Sequence, residues 1–268
     1  MPEGHTIHRL AADHAEWFGG RAVRASSPQG KFSDGAALVD GQVLSSAEAH
    51  GKHLFLGFGG VGWIHIHLGL FGKYAVGAGT APPPTETIRL RLVADGYADL
   101  RGPTTCALIT DPEKQAIHDR LGPDPLRPVD DGEKAWARVS RSRTTIAALL
   151  MDQKVIAGVG NVYRAEVLFR HGVDPYRPGR DVSRREWDAM WADLAVLMRE
   201  GVRLNRIDTV RDEHTPEAMG RPPRVDDHGG EVYVYRRAHL PCHVCGAEIR
   251  TEALAARNLF WCPGCQPA

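Results

Sequence analysis

Apolar and polar positions alternate differently in successive stretches of the chain. At the start, Ile7, Leu10, Ala11, His14 and Phe18 recur at helical spacing and Gly19-Gly20 closes the run, which predicts a helix. Short apolar runs follow at 54–58, 63–68, 88–93 and 107–109, separated by turn residues such as Asp95-Gly96. Runs of that length between turns predict strands, and with the helix they predict a β-sandwich or barrel. Asp111-Pro112-Glu113 opens a short helix, with Asp111 as its cap and Pro112 in its first turn.

The stretch LGPDPLRPVDDGE (121–133) has no apolar period and is interrupted by proline and glycine, the mark of a linker. Helical spacing returns beyond it. Helices are expected at 145–153 and 161–170 on either side of AGVG, and Ser183 with Glu186 has the spacing of a capping box. Trp187, Met190, Trp191, Leu194 and Met198 then share one core-facing stripe. No internal repeat is visible. The fold class expected is a multidomain α+β protein: a sandwich domain over 1–120, a linker over 121–133, a helical domain over 134–222 and a small C-terminal module over 223–268.

A chain of 268 residues can bury a core in two modest domains or in one domain with an appendage. Its 33 basic and 33 acidic residues give no global bias towards nucleic acid. Between 134 and 185, however, eleven Lys and Arg face four Asp and Glu, a local excess that suits a phosphate-facing surface or a solvated helix face. No run of about 18 apolar residues predicts a membrane span, and the first residues lack the basic start and apolar core of a secretory signal. A cytoplasmic, reducing location is therefore expected, where five cysteines do not form a disulfide framework.

Cys242, Cys245, Cys262 and Cys265 form two CxxC pairs sixteen residues apart. Two such knuckles supply four sulfurs to one tetrahedral Zn²⁺ and leave no open position, so the metal is expected to be structural; a redox dithiol is the alternative. Between the pairs, TEALAARNLFW fits a β-hairpin with Arg257 near its tip, able to grip a phosphate or simply to cover a turn. Cys106 stands apart in an apolar strand and reads as an inert buried thiol.

Other positions carry two readings each. With Met1 gone, Pro2 and Glu3 suit a helix start, yet an exposed N-terminal proline is also a secondary amine able to attack a carbonyl carbon. Lys52 either reaches an anion or protects a strand edge. Leu70 and Phe71, between glycines in HLGLFGKY, either pack down or wedge into a base stack. Gly158 and Gly160 allow close backbone approach, and the helix starting at Asn161 offers amide donors to an anion or merely closes a helical turn. His65 and His67 share a strand face, where a second metal site is the lesser reading because no paired carboxylates accompany them.

Collinear along almost the whole chain, PEGHTIHRL, GKHLFL, LGPDPL, MDQKVIAGVGNVYRAEVLF, VYRRAHLPCHVCG and RNLFWCPGCQ resemble the formamidopyrimidine-DNA glycosylase/endonuclease VIII family of DNA repair enzymes. The resemblance implies an N-terminal β-sandwich, a helix-two-turns-helix domain and a zinc finger, with DNA in the cleft between. It implies that Pro2, freed of Met1, attacks C1′ of a damaged nucleotide, and that Glu3 moves a proton to the sugar. Lys52, Asn161 and Arg257 would hold phosphates, Lys52 and Arg257 close to the reacting sugar, with Lys154 in the DNA-binding set. Leu70 and Phe71 would fill the gap left by the flipped nucleotide. One structural zinc, damaged DNA as partner, no organic cofactor, a monomer and association with the nucleoid are implied as well.

Leu70 and the closing WCPGCQ resemble the endonuclease VIII branch, which favours oxidised pyrimidines. The arginine and phenylalanine of the guanine-lesion branch have no clear counterpart in DLRGPTTCALIT, where Arg101 could take part of that role. The expected function is a bifunctional glycosylase and abasic-site lyase acting by β,δ-elimination. The alternatives are a guanine-lesion glycosylase, a catalytically silent damaged-DNA-binding protein, and a small-molecule enzyme using an N-terminal proline.

Overall fold

Helix α1 (Gly4–Phe18) buries the face its spacing marks, with Ile7, Leu10, Ala11, His14 and Phe18 all turned inward. It belongs to the first of two compact units, Met1–Arg120 and Leu121–Ala268, of a computed structural model that describes residues 2–225 and 230–268. After β1 (Arg24–Ser26) and α2 (Ser33–Val39) come β2 (Leu44–His50), β3 (His53–Phe58), β4 (Gly62–His67), β5 (Lys73–Ala78), β6 (Ile88–Val93), β7 (Gly96–Arg101), β8 (Thr105–Ile109) and α3 (Asp111–Arg120).

The strands form two four-stranded sheets, β2-β3-β4-β8 and β1-β6-β7-β5, antiparallel throughout. One core joins them: Leu54, Leu56, Ile64 and Ile66 from one sheet, Leu90, Leu92 and Leu100 from the other, and Ile7, Leu10 and Phe18 from α1. The sandwich is thus the expected one, although β2 and β5 lack an apolar run because they bury few residues. The cap of α3 differs from expectation. Thr110, one residue earlier, makes the capping box with Glu113, its N–H donating to Oε2 at 2.8 Å. Asp111 is helical, and its carboxylate accepts from Trp63 Nε1 at 2.7 Å. Cys106 is half-buried in β8, and burial pushes its thiol up to about 12, so it stays protonated.

In the second unit, α4 (Glu133–Val139), α5 (Ile146–Leu149), α6 (Asn161–Arg170), α7 (Arg184–Leu204) and α8 (Pro216–Met219) precede the hairpin β9 (Arg250–Leu254) and β10 (Arg257–Trp261). The stretch 121–133 does not hang free. Gly122 N donates to Gln153 O at 2.9 Å and Ala157 N to Pro123 O at 2.9 Å, with Asp124 wholly buried. The helix expected over 145–153 stops at Leu149, because side chains take over the backbone groups beyond it. Gln153 Nε2 donates to Met151 O and Val159 O, and its Oε1 accepts from Gly158 N. Ser183 and Glu186 complete the capping box of α7, whose Trp187, Met190, Leu194 and Met198 enter a core shared with Val162, Tyr163, Leu259, Phe260 and Cys262.

Candidate active site

In the first unit, the start of α1 sets the chemistry. Glu3 has extended backbone, its carbonyl accepts from Thr6 N at 3.0 Å, and it is wholly buried beside half-buried Pro2. Met1 lies outside the described residues. His5, in the first turn of the helix, is held neutral by burial, its pKa lowered to about 4.

Register shows where this end of α1 points. Gly19, just past the helix, bridges Leu44 at the start of β2, and α1 packs along β2 and β3. Fifteen helical residues span about 22 Å, and seven strand residues about 23 Å. The start of α1 therefore lies towards the His50 end of β2, where a tight turn carries Gly51 and Lys52 into β3. Lys52 is half-buried there, and the pKa of His67 is lowered first by burial of its ring and then by the nearby Lys52 ammonium.

His67 pairs with His53 across the sheet, so the turn after β4 leaves from the same edge. That turn carries Leu70 and Phe71, and Phe71 is 85% exposed. Gly69 supplies its positive φ of 68°, and a Cβ there would stand 1.9 Å from Thr104 Oγ1. The turn is thereby seated against the loop after Arg101, where a Cβ on Gly102 would lie 3.7 Å from Phe71 O. Arg101 is held by Asp99 at 3.1 Å, and Asp99 is itself gripped at both oxygens by Arg91. Pro2, Glu3, Lys52, Leu70 and Phe71 thus share one edge of the sandwich, with Arg101 beside the last two.

In the second unit, Asn161 opens α6 and is buried. Its Nδ2 donates to Asn258 O at 2.9 Å, and its Oδ1 accepts from Arg164. Asn258 follows Arg257 at the start of β10, so one side-chain amide brings Asn161 and Arg257 together. Ala255 and Ala256, both at positive φ, make the two-residue turn before Arg257. Arg257 is half-buried and donates to Ala256 O at 2.9 Å. Lys154 is itself exposed, ahead of the buried stretch 155–160 that leads into α6, its N–H held by Asp152 at 2.9 Å.

Glu166 carries no mark of its role in the sequence pattern. Wholly buried on α6, it accepts from Thr209 Oγ1 at 2.6 Å and from the consecutive amides of Tyr233, Val234 and Tyr235 at 2.7, 2.9 and 2.8 Å. Four donors replace the water a buried carboxylate loses. They also lock α6 to the segment leading into the zinc knuckle, where Arg237 Nη2 donates to Pro241 O at 2.7 Å. A glutamate in a helical stretch ordinarily reads as surface, which is why the pattern gave no sign of it.

The four cysteine sulfurs all lie within 4.8 Å of one another. Cys242 and Cys265 are 3.8 Å apart and Cys245 and Cys262 3.4 Å; a tetrahedron with Zn–S bonds of about 2.3 Å has edges of about 3.8 Å, so the set fits zinc. Gly264 lets the second knuckle close, since a Cβ there would stand 2.9 Å from Cys245 Sγ. The centre is anchored through Gln266, whose Nε2 donates to Val173 O and whose Oε1 accepts from Cys262 N. These cysteines hold a structural zinc ion.

Residues 1–107 match the formamidopyrimidine-DNA glycosylase N-terminal domain, 121–212 the formamidopyrimidine-DNA glycosylase H2TH domain, and 240–268 the zinc finger found in FPG and IleRS. The chain is 51% identical to the Mycobacterium tuberculosis protein named Endonuclease 8 1, over 99% of this chain and 100% of that protein. It belongs to the formamidopyrimidine-DNA glycosylase/endonuclease VIII family. Within that family it is 30% identical to the formamidopyrimidine-DNA glycosylase of Pseudomonas syringae, over 99% of this chain and 98% of that one. Its fold matches that of Lactococcus lactis Fpg in complex with DNA containing an abasic site, with a TM-score of 0.77 at 22% identity over 99% of this chain and 100% of that one. The family's three parts, sandwich, helical domain and zinc finger, are all present. No helix among the described residues is long and apolar enough to cross a membrane.

Proposed function

We propose that this family member excises oxidised pyrimidines from DNA and cleaves the strand at the resulting abasic site, with Pro2 as nucleophile. As a member of its family it is a DNA glycosylase and abasic-site lyase of base excision repair. The observation that carries the residue assignment is the placement of wholly buried Glu3 behind half-buried Pro2, on the sandwich edge that also bears Lys52 and the protruding Leu70–Phe71 turn. The 51% identity to a protein named Endonuclease 8 1 supports the pyrimidine preference.

The chemistry follows from the groups. An α-amine has a reference pKa of about 7.7–8.0, so a neutral fraction is present at physiological pH. Its lone pair attacks C1′; the C1′–N bond to the base breaks and the base leaves with a proton. The C1′–O4′ bond then opens, Glu3 supplies the proton that O4′ takes up, and an iminium remains on Pro2. Loss of the C2′ proton expels the 3′ phosphate, and the second elimination expels the 5′ phosphate. Lys52 serves the first unit's phosphate contact, while Asn161 and Arg257 serve the second unit's, with the exposed Lys154 ahead of Asn161 in sequence. Leu70 and Phe71 suit the gap in the stack, because an 85% exposed phenylalanine gains most by leaving water. Damaged DNA is the proposed partner, met in the nucleoid by a monomer that uses no organic cofactor.

Borohydride trapping on an abasic-site duplex tests the nucleophile. The protein is expected to yield a covalent adduct, which disappears when the α-amine is acetylated, and Glu3→Gln is expected to abolish base release. An equally trapped adduct from protein retaining Met1 would remove Pro2 from the mechanism. Excision measured side by side on an oxidised thymine and an oxidised guanine is expected to favour the thymine, and the reverse order would support the guanine-lesion reading.

A further inference from the structure

His65 and His67 do not stand alone on their strand face. In the β2-β3-β4-β8 sheet Leu54, Leu56, Ile64 and Ile66 face the core, so His53, Phe55, His65 and His67, which alternate with them, face outward. His53 Nδ1 lies 2.8 Å from His65 Nε2, and the ring centroids of His53 and His67 are 4.8 Å apart. Helix α3 covers part of the same face. His118 stacks on Phe55 at 4.9 Å, Lys114 sits over Trp63 and pairs with Glu48 at 2.7 Å, and the helix ends at exposed Arg120.

Charge on this face is one-sided. Burial lowers the pKa of His53 to about 3 and that of His65 to about 4, and Arg120 pushes both the same way. No carboxylate is among the charged groups that act on His53, His65 and His67. Glu48 is taken up by Lys114, and Asp119 accepts from Gln115 at 2.7 Å. Arg120 has no ion-pair partner among the described residues. The last-turn carbonyls of α3 amount to about half a negative charge, which positions its guanidinium without neutralising it. A face with cations and no anion of its own suits an anion from outside.

We propose that Arg120 and His53 hold a DNA phosphate flanking the damaged nucleotide, beyond the phosphate assigned to Lys52, an inference that rests on that assignment. Lys52 and His53 are consecutive, so a backbone gripped by the first passes the second, and each strand carries a phosphate about every 3.4 Å along the duplex axis. Two neutral imidazoles joined by one hydrogen bond carry two protons, one in the bridge and one on the outer nitrogen of the accepting ring. When His53 accepts from His65 through Nδ1, its own proton sits on Nε2, ready to be donated to a phosphate oxygen. The anion selects this arrangement with no change in the pair's net charge, while the Arg120 fork supplies the opposite charge and paired donors.

Binding of the zinc-loaded protein to a duplex with an abasic-site analogue, followed by fluorescence anisotropy across a salt series, reads the site. Arg120→Ala is expected to weaken binding about tenfold and to make the slope of log K against log salt shallower by about one; Arg120→Lys should keep the slope. His53→Phe, which retains a ring, should cost less, and less than additively when combined with Arg120→Ala. Arg24→Ala, at an exposed position on the other sheet, should change neither quantity. With flanking phosphates neutralised one at a time as methylphosphonates, the unmodified protein should lose affinity at one position where Arg120→Ala loses none. An unaltered slope in Arg120→Ala, an equal change in Arg24→Ala, strict additivity of the two variants, or the same methylphosphonate profile with and without Arg120 would overturn the proposal. Borohydride trapping at saturating protein separates this site from the reaction. Arg120→Ala should trap as the unmodified protein does, and its failure alone would move Arg120 into the chemistry and sink the proposal, whereas no adduct from the unmodified protein would count against Pro2.

Discussion

Both units bury polar groups, the first an Arg91–Asp99 ion pair together with neutral histidines, the second a carboxylate ringed by donors and a metal centre. The sandwich keeps its interior histidines uncharged: His14 is wholly buried, its Nδ1 held by Leu10 O at 2.7 Å, and burial lowers its pKa to about 4 despite that bond and nearby Asp13. The second unit buries formal charge outright and satisfies it, with Glu166 receiving four donors and zinc gathering four sulfurs. Neutral burial costs little at neutral pH but fails in acid. Satisfied charge and metal ligation resist mild acid but collapse when a single partner is removed.

The sharpest way to break this contrast is to remove the metal. Structural zinc contributes on the order of 10 kcal/mol to small zinc modules, so Cys262→Ser is expected to abolish stoichiometric zinc, unfold 240–268 and weaken DNA binding, while the sandwich melts as before. Metal analysis beside calorimetry reads both. Unchanged DNA affinity in zinc-free protein would detach the finger from function. The next largest effect is expected from Glu166→Ala, which strands three buried amides at about 1–3 kcal/mol each, seen as a lower melting temperature for the second unit alone.

The smallest effect is the acid response of the sandwich. His5 and His14 have folded pKa values of about 4, below the 6.5 of the unfolded chain. Above pH 6.5 both states are neutral and nothing is lost. As pH falls from 6.5 towards 4 the unfolded state takes up protons first, so stability declines across that window. His14→Leu is expected to flatten the decline in denaturant titrations of the first unit; an unchanged slope would mean that His14 does not drive it.

The same contrast decides what can be read from sequence. Strands β3, β4 and β6 and helices α1, α6 and α7 announce themselves because their apolar periods match the surfaces they bury. The zinc ligands are equally plain, since CxxC spacing is imposed by the ion. Strands β2 and β5 are hidden by their polar faces, and the cap at Thr110 is displaced by one residue because Asp111 is drawn to Trp63. Of the candidate site, Asn161 and Arg257 are legible as positions, but their link through the carbonyl of Asn258 is tertiary. Glu166 and the imidazole pairs are invisible for the same reason: each depends on partners from distant segments.

Glu166 has a mechanical consequence. Its two oxygens clamp one helix to three successive amides ahead of the knuckle, and the Asn161 bond to the Asn258 carbonyl ties the first turn of that helix to the hairpin beside Arg257, so the two attachments brace α6 at both turns. A tug on the arginine at one end is felt at the asparagine without slack, and whatever grips one of them orients the other.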